Sequence, residues 1–304
     1  MRNFGIWLSS WCAIAECVRR MTDERDAASV VFASGFFAGV AVTGLLNPID
    51  RALFLSVQKR RPFLDPLNFR RPFQGLGQSL VGRAVSSGLW FPLERLTHQA
   101  VTLHAPDLPP GAAAALAGQT AGVVNATLLS PLSYVKYQTW GVPEGKRSFG
   151  RTASKVLHTI GPLGFLRGLP ATVLRDAIFG GSFGFLRTRG RATAEKHLHS
   201  VGDGGGASFA VDVLAAGVAT TLSSPLNYAR NVQFGAPVSS PSLGTWAAIA
   251  GLAQEVRKQP TVGGSMAIAL QRTNVGWGTL RVAGGMALTA DIFARMVRLG
   301  GATG

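Results

Sequence analysis

The sequence is poor in acidic residues and in cysteine. It has 15 Asp and Glu against 30 Lys and Arg, and its only cysteines are Cys12 and Cys17. Cysteines five positions apart on a helix do not share a face, so the spacing argues against a disulfide framework or a zinc site. The net charge of +15 instead suits nucleic acid or the anionic surface of a membrane.

Charged residues of either sign are also scarce. They make up 15% of the 304 residues, whereas 47% are hydrophobic, and this is too few charges to cover a soluble globule of this size. Residues 28–46 form 19 positions without a charge, long enough to cross a hydrocarbon core of about 30 Å as a helix. A nucleic-acid-binding domain has no use for such a run, so we predict a membrane protein.

The chain lacks the motifs of common catalytic folds. It has no Walker loop, and no dinucleotide-binding glycine pattern or nucleophile elbow following a strand. His197 and His199 stand in a polar loop without an acidic cluster, which argues against a metal site. We therefore predict no enzymatic activity, no cofactor and no metal.

A proline phrase occurs twice and is echoed once. Residues 130–136 read SPLSYVK, residues 224–230 read SPLNYAR, and residues 47–53 read NPIDRAL. Each phrase ends a long apolar run, and its proline falls inside a predicted helix, which it should kink. The separations of 83 and 94 residues between these prolines divide the chain into three repeated units. The predicted kinks are at Pro48, Pro131 and Pro225.

Small residues recur at fixed distances before these prolines. A pair of glycines lies 13 and 9 residues before each of the first two prolines. Such small residues let helix backbones approach closely in lipid, so the repeated offsets indicate that the units share one shape. The third unit keeps one small residue and replaces the other by a carboxylate. The predicted packing positions are Gly35, Gly39, Gly118, Gly122, Asp212 and Ala216.

Asp212 interrupts an otherwise apolar span. An unpaired carboxylate at such a position is costly, so we expect a basic partner. Arg187, near the end of the preceding long helix, is the candidate. A proton-binding role for Asp212 is the alternative to a structural pair.

The pattern of apolar runs and turns predicts six membrane spans in three hairpins, an all-α architecture. A basic amphipathic helix is expected along the interface at residues 146–161, and a second amphipathic helix at residues 245–258. The second of these places Trp246, Ile249, Leu252 and Val256 on one face. The predicted units are an interfacial or partner-binding extension at 1–26, followed by repeats at 27–110, 111–204 and 205–304.

The joint spacing resembles the mitochondrial carrier family over about residues 27–298. In that family each odd-numbered helix ends in P-x-[DE]-x-x-[KR] after a GxxxG pattern, and each even-numbered helix opens near an aromatic-basic-glycine phrase. Residues 164–168, GFLRG, match that phrase, and residues 277–285 are most similar to the ADP/ATP carriers. The resemblance implies a pseudosymmetric barrel of six transmembrane helices in the mitochondrial inner membrane, around a water-filled cavity.

The resemblance also implies two gates. In the family, the acid of each proline motif pairs with the base of the next and closes the matrix side. Here Asp50 and Lys136 can form an ion pair, Ser133 offers Arg230 only a hydrogen bond, and Asn227 faces Leu53 without a charge partner. The matrix-gate candidates are Asp50, Leu53, Ser133, Lys136, Asn227 and Arg230. On the opposite side, the positions of Glu94, Thr188 and Asp291 give no complete pair.

The family's solute contacts lie midway along the even-numbered helices. The matching positions imply an anion site, with a fossil cavity neutralised by water and lipid headgroups as the alternative. The solute-contact candidates are Arg83, Arg175, Asp176 and Arg281. We also expect bound cardiolipin, because helix N-termini beside a base bind phosphate. The lipid-binding candidates are Phe73, Gly75, Arg167 and Gly168.

Two functions remain open. The incomplete gates, Asp212 and the aromatic extension favour a structural or accessory subunit of a larger, respiratory-type inner-membrane complex. Arg175, Arg281 and the Asp50–Lys136 pair support the alternative, a divergent carrier that exchanges a small anionic metabolite, nucleotide or amino acid. The expected partners are membrane lipids including cardiolipin, proteins of such a complex and a small anionic solute, but not nucleic acid.

Overall fold

The computed structural model describes residues 25–140, 148–198 and 204–299. Residues 1–24 of the predicted extension, with both cysteines, lie outside the described residues. Two short 3-10 helices cover Pro66–Asn68 and Pro162–Leu166. The α-helices are α1 Arg25–Lys59, α2 Leu76–His104, α3 Pro110–Thr139, α4 Phe149–Ile160, α5 Leu169–Leu198, α6 Gly204–Gly235, α7 Thr245–Arg257, α8 Val262–Thr273 and α9 Trp277–Leu299.

The long helices close into a ring. In order, α1 packs on α2, α2 on α3, α3 on α5, α5 on α6 and α6 on α9, and α9 returns to α1. The shorter α4 packs on α3, α7 packs on α6, and α8 packs on α7 and α6. Because each long helix has two neighbours in the ring, one stripe of every long helix is left to line the interior.

Among the described residues, three helices are long and apolar enough to cross a membrane. They cover Val30–Lys59 in α1, Pro110–Thr139 in α3 and Gly206–Gly235 in α6. Each contains one of the repeated prolines. Proline has no backbone N–H, so each of these helices lacks one internal hydrogen bond at that point.

The backbones of α3 and α5 are in direct contact. A Cβ atom built on Gly118 would lie 2.2 Å from the carbonyl oxygen of Gly180, and one on Gly122 would lie 2.4 Å from that of Asp176. Neither position has room for any side chain. The spacing of these glycines in the sequence reflects this close approach.

The other positions of the small-residue pattern are buried as well. Gly35 and Gly39 are buried on α1. Ala216 is fully buried in a cluster with Phe183 and other residues of α5, α6 and α9. The apolar seam between α5 and α6 therefore continues on to α9.

Two of the long helices begin on a glycine that is covered by an aromatic ring. Gly75 precedes α2 with φ 73°, and its Cβ would lie 2.6 Å from the indole nitrogen of Trp140. Gly168 precedes α5 with φ 76°, and its Cβ would lie 2.7 Å from the ring of Phe234. Glycine is required at both places by the positive φ and by the ring. Both aromatic residues lie nine positions after the proline of their helix.

Helix α8 was not predicted from the sequence. This helix is capped by Thr261, whose hydroxyl accepts a hydrogen bond from the Gly264 N–H, and it ends at Asn274 in the left-handed conformation. Two glycines and an uninterrupted run of small and apolar residues hide its helical periodicity. The amphipathic face predicted for α7 is right for Ile249 and Leu252, which pack inward, and wrong for Trp246, which is 70% exposed.

Candidate functional site

The ring encloses a cavity of about 300 Å³ that all six of these long helices line. This volume is at the lower end of the range for small-molecule sites. Basic side chains outnumber acidic ones in the lining, so the cavity carries a positive excess. The basic residues are Arg83, Lys136, Arg175, Arg230 and Arg281, and the acidic ones are Asp50 and Asp176.

Asp50 pairs with Arg281, not with Lys136 as predicted. The guanidinium of Arg281 holds the carboxylate through Nε and Nη2. Arg281 lies on α9, which is next to α1 in the ring, and its side chain is only 6% exposed. The predicted partner was wrong because the neighbouring α9 supplies a nearer cation than α3.

Lys136 lies on aromatic rings instead. Its ammonium stands 4.6 Å from the ring centroid of Tyr137 and 4.7 Å from that of Trp140. The negative face of each ring attracts the cation. Lys136 is therefore held at the edge of the cavity, with no carboxylate partner in the part of the chain that the structure describes.

Arg175 binds its own neighbour in the chain. Its Nε donates to the carboxylate of Asp176 at 2.6 Å, and its Nη1 donates to the side-chain oxygen of Asn227 at 3.4 Å. This contact links α5 to α6 across the cavity wall. Asn227, predicted to face Leu53 without a charge partner, thus accepts from an arginine. The carbonyl of Leu53 accepts from the amide of Asn274 at 3.3 Å.

Arg83 differs from the other cavity arginines. Its side chain is exposed into the cavity. Among the carboxylates that the structure describes, none lies within ion-pair distance of it. It is thus a cation in a water-accessible interior that a bound anion can reach.

Four aromatic residues close one end of the ring. We call Phe54, Tyr137, Trp140 and Phe234 the aromatic cluster. Phe54 of α1 lies 4.7 Å from Tyr137 of α3, and Tyr137 lies 5.4 Å from Phe234 of α6, measured between ring centroids. The C-terminal ends of α1, α3 and α6 therefore converge here.

Hydrogen bonds from polar side chains link the long helices at the end that contains the aromatic cluster. Gln138 donates to the backbone oxygen of Phe234 at 2.6 Å, and Gln58 donates to that of Asn231 at 2.8 Å. Arg230 donates to the Tyr137 hydroxyl at 3.3 Å and lies over its ring. The guanidinium of Arg230 makes this contact with Tyr137 in place of the hydrogen bond expected with Ser133.

The opposite end is linked through Asp212, which is 3% exposed. The expected partner Arg187 lies 3.2 Å from its carboxylate, and Arg191 lies 2.6 Å from it. Arg187 also reaches Glu94 of α2 at 4.0 Å, whereas Asp291 pairs with Arg295 of its own helix. The carboxylate of α6 thus binds α5, and through Arg187 the link extends to α2.

The lipid-binding prediction needs a correction at Arg167. This residue is 8% exposed, and its guanidinium donates to the carbonyl oxygens of Pro237 and Ser240. The charge expected to bind a phosphate group is therefore used inside the protein, to hold the connection between α6 and α7. Phe73, at the other predicted site, is 57% exposed.

The aromatic cluster is the main feature that the sequence analysis missed, although its signal was present. Phe54 and Tyr137 each lie six residues after the proline of their helix, and Trp140 and Phe234 each lie nine residues after theirs. Comparing offsets beyond the prolines as well as before them would have found the cluster.

No curated protein matches the chain. A protein-family model described as "Mitochondrial carrier protein" matches residues 109–189. These residues contain α3, α4 and most of α5, including the glycine contact and the Arg175–Asp176 pair. The match covers 81 of the 304 residues, so this part of the chain is similar to mitochondrial carrier proteins.

Proposed function

We propose that the chain is a multi-pass protein of the mitochondrial inner membrane whose central cavity binds a small anionic solute. Members of the mitochondrial carrier family, to which residues 109–189 are similar, are transporters rather than enzymes. The observation that carries the proposal is Arg83, a cation exposed in a cavity where basic side chains already outnumber acidic ones.

The membrane topology in this proposal has six spans in three hairpins. Hydropathy selects only α1, α3 and α6 among the described helices. The other long helices, α2, α5 and α9, carry Arg83, Arg175 and Arg281, which line the cavity. Charges in spans normally face water or a partner in this way, so they lower the hydropathy of a helix without placing charge in lipid.

The cavity chemistry favours an anion of modest size. Asp50 and Asp176 are each held by an arginine, which offsets the repulsion that either carboxylate would exert on an incoming anion. Arg83, Lys136 and Arg230 have no carboxylate partner among the described residues. A volume of about 300 Å³ suits a small metabolite better than a bulky one.

Ligand-induced stabilisation of the purified full-length protein tests the proposal. Inorganic phosphate, succinate, aspartate and ATP are compared as probes, and a ligand that binds the folded state raises the apparent melting temperature. We expect at least one probe to raise the melting temperature. Arg83→Gln should weaken the affinity for that probe about tenfold or more, since hydrogen bonds to charged groups contribute about 1.5–3 kcal/mol. Arg95→Gln, on the exposed side of the same helix, is the matched control. Equal loss in both variants, or no response to any probe, contradicts the proposal.

A second function is favoured by the aromatic cluster. A carrier gate must be stable when closed yet open when solute binds, within the few kcal/mol that differential binding supplies. Solute contacts exchange readily with ion pairs but not with packed aromatic rings such as Phe54 and Tyr137. A barrel closed in this way rests in one conformation and serves as an accessory subunit of a larger inner-membrane complex.

Native gel electrophoresis and liposome exchange separate the two functions. An accessory subunit migrates with a large complex, its removal lowers the abundance of that complex, and the purified protein exchanges no solute. A carrier migrates near its own mass of 31.9 kDa plus detergent and exchanges solute in liposomes. Exchange that Arg175→Ala or Arg281→Ala abolishes would exclude a purely structural role.

A further inference from the structure

Helix α8 turns its polar residues inward and its apolar residues outward. Ser265 donates to the carbonyl of Val256 at 3.0 Å, and Arg272 binds the carboxylate of Glu255 at 2.6 Å. Arg272 keeps only 11% of its side chain exposed. The charged and hydroxyl groups of α8 are thus used to attach it to α7.

The outward face of α8 contains no polar side chain. Val262 is 85% exposed, Met266 58% and Leu270 40%, and residues four apart lie on one face of a helix. The other exposed residues of α8 are Gly263 and Ala267. An exposed apolar face of this kind marks a surface that contacts a membrane or a partner.

The surroundings of this face point to lipid. Arg257 and Lys258, just before α8, are exposed, and basic residues beside an apolar face are typical of helices that bind anionic leaflets. After a connection of three residues, Trp277 opens α9 with 52% exposure, followed by Leu280 with 65%. Tryptophan is enriched where a span meets the headgroups. The apolar face of α8 is therefore next in the chain to exposed apolar residues of α9, which are of the kind that contact lipid.

We propose that α8 lies in the plane of the membrane, with Val262, Met266 and Leu270 inserted among the acyl chains. The leaflet is the one at the end closed by the aromatic cluster, because Asn274 at the end of α8 bonds to the carbonyl of Leu53 near the end of α1. The helix thereby anchors the connection between α7 and α9 to lipid. This proposal does not depend on whether the cavity binds a solute.

Fluorescence quenching in vesicles tests the insertion. Met266→Cys is made in the full chain with Cys12→Ser and Cys17→Ser, labelled with an environment-sensitive dye and reconstituted in phosphatidylcholine vesicles containing cardiolipin. We expect blue-shifted emission, strong quenching by doxyl-labelled lipid and weak quenching by aqueous iodide. Gln254→Cys, at an exposed position of α7, is the matched control and should show the reverse.

Leu270→Cys, one turn further along the same face, repeats the test if Met266→Cys does not fold. Labels that iodide quenches as strongly as the control label overturn the proposal. A label that is accessible in vesicles but protected in native membranes also overturns it, because a protein partner would then cover the face.

Discussion

Arg281 of α9 and Asp50 of α1 join the last long helix to the first. The pair is separated by 231 residues in the sequence, and it lies at the seam where the ring closes. The arginine side chain is 6% exposed and the aspartate side chain 25% exposed. The nearly buried guanidinium therefore depends on this carboxylate for charge neutralisation, whereas the carboxylate is also partly solvated.

Replacing Asp50 by Asn should destabilise the protein. The substitution leaves a nearly buried guanidinium without its counter-charge, which costs about 1–3 kcal/mol. We expect the apparent melting temperature in detergent to fall by several degrees. In the double variant with Arg281→Gln the two losses should not add, because both remove the same pair. Additive losses would show that the pair contributes no coupling energy.

Gly285 should be needed to leave space for the side chain of Arg281. A Cβ on Gly285 would lie 2.9 Å from Nη1 of Arg281 and 3.2 Å from a methyl of Leu46. Gly285→Ala should therefore lower stability by about 1 kcal/mol, as is common for overpacked sites. Gly284→Ala, where nothing lies within 4 Å, is the control. The loss should shrink in an Asp50→Asn background, in which the guanidinium is free to shift; an unchanged loss would assign it to Leu46.

Substitutions of Asp212 should separate charge from hydrogen bonding. Asp212→Asn retains an acceptor and should cost about 1 kcal/mol. Asp212→Leu leaves Arg187 and Arg191 facing each other and should cost about 2 kcal/mol, below the value for a fully buried pair because both arginines keep some solvent. Thermal unfolding in detergent measures both losses.

The control for Asp212 is Asp291→Asn, which removes an exposed pair within one helix and should change stability by less than about 0.5 kcal/mol. Equal stability of the Asn and Leu variants at position 212 would refute a role for the charge.

Even alanine should be too large at Gly118. Its Cβ would have to lie 2.2 Å from a backbone oxygen of α5, so the two helices must separate. We expect a loss of about 1–3 kcal/mol and a lower yield of folded protein. Gly44→Ala, in α1 with open space around it, should instead be neutral or stabilising by about 0.5–1 kcal/mol. A loss at position 44 equal to that at 118 would contradict the packing argument.

Periodic features of the sequence were read correctly and individual partners were not. The prolines and glycines fix the courses of α1, α3 and α6, because their effect on the backbone is local. The partner of Asp50 depends on which helix lies beside α1 in the ring, and a linear pattern does not contain that information. Arg187 was found as a partner of Asp212, but Arg191, one turn further along the same face, was missed.

The inverted polarity of α8 explains why that helix was overlooked. Sequence reading assigns polar residues to water, whereas Ser265 and Arg272 face the protein. The same assumption misplaced Arg167, whose charge was assigned to a lipid headgroup. In both cases the polar group satisfies protein carbonyls or carboxylates that only the folded structure brings near.

The glycine contact between α3 and α5 has a consequence for biogenesis. Two helices whose backbones touch at Gly118 and Gly180 can associate as soon as both are in the membrane, without waiting for the rest of the chain. This hairpin then offers a template on which α6 docks through Asp212. Assembly would finish at the α1–α9 seam, so a chain truncated before α9 should retain a stable central hairpin but an unsealed barrel.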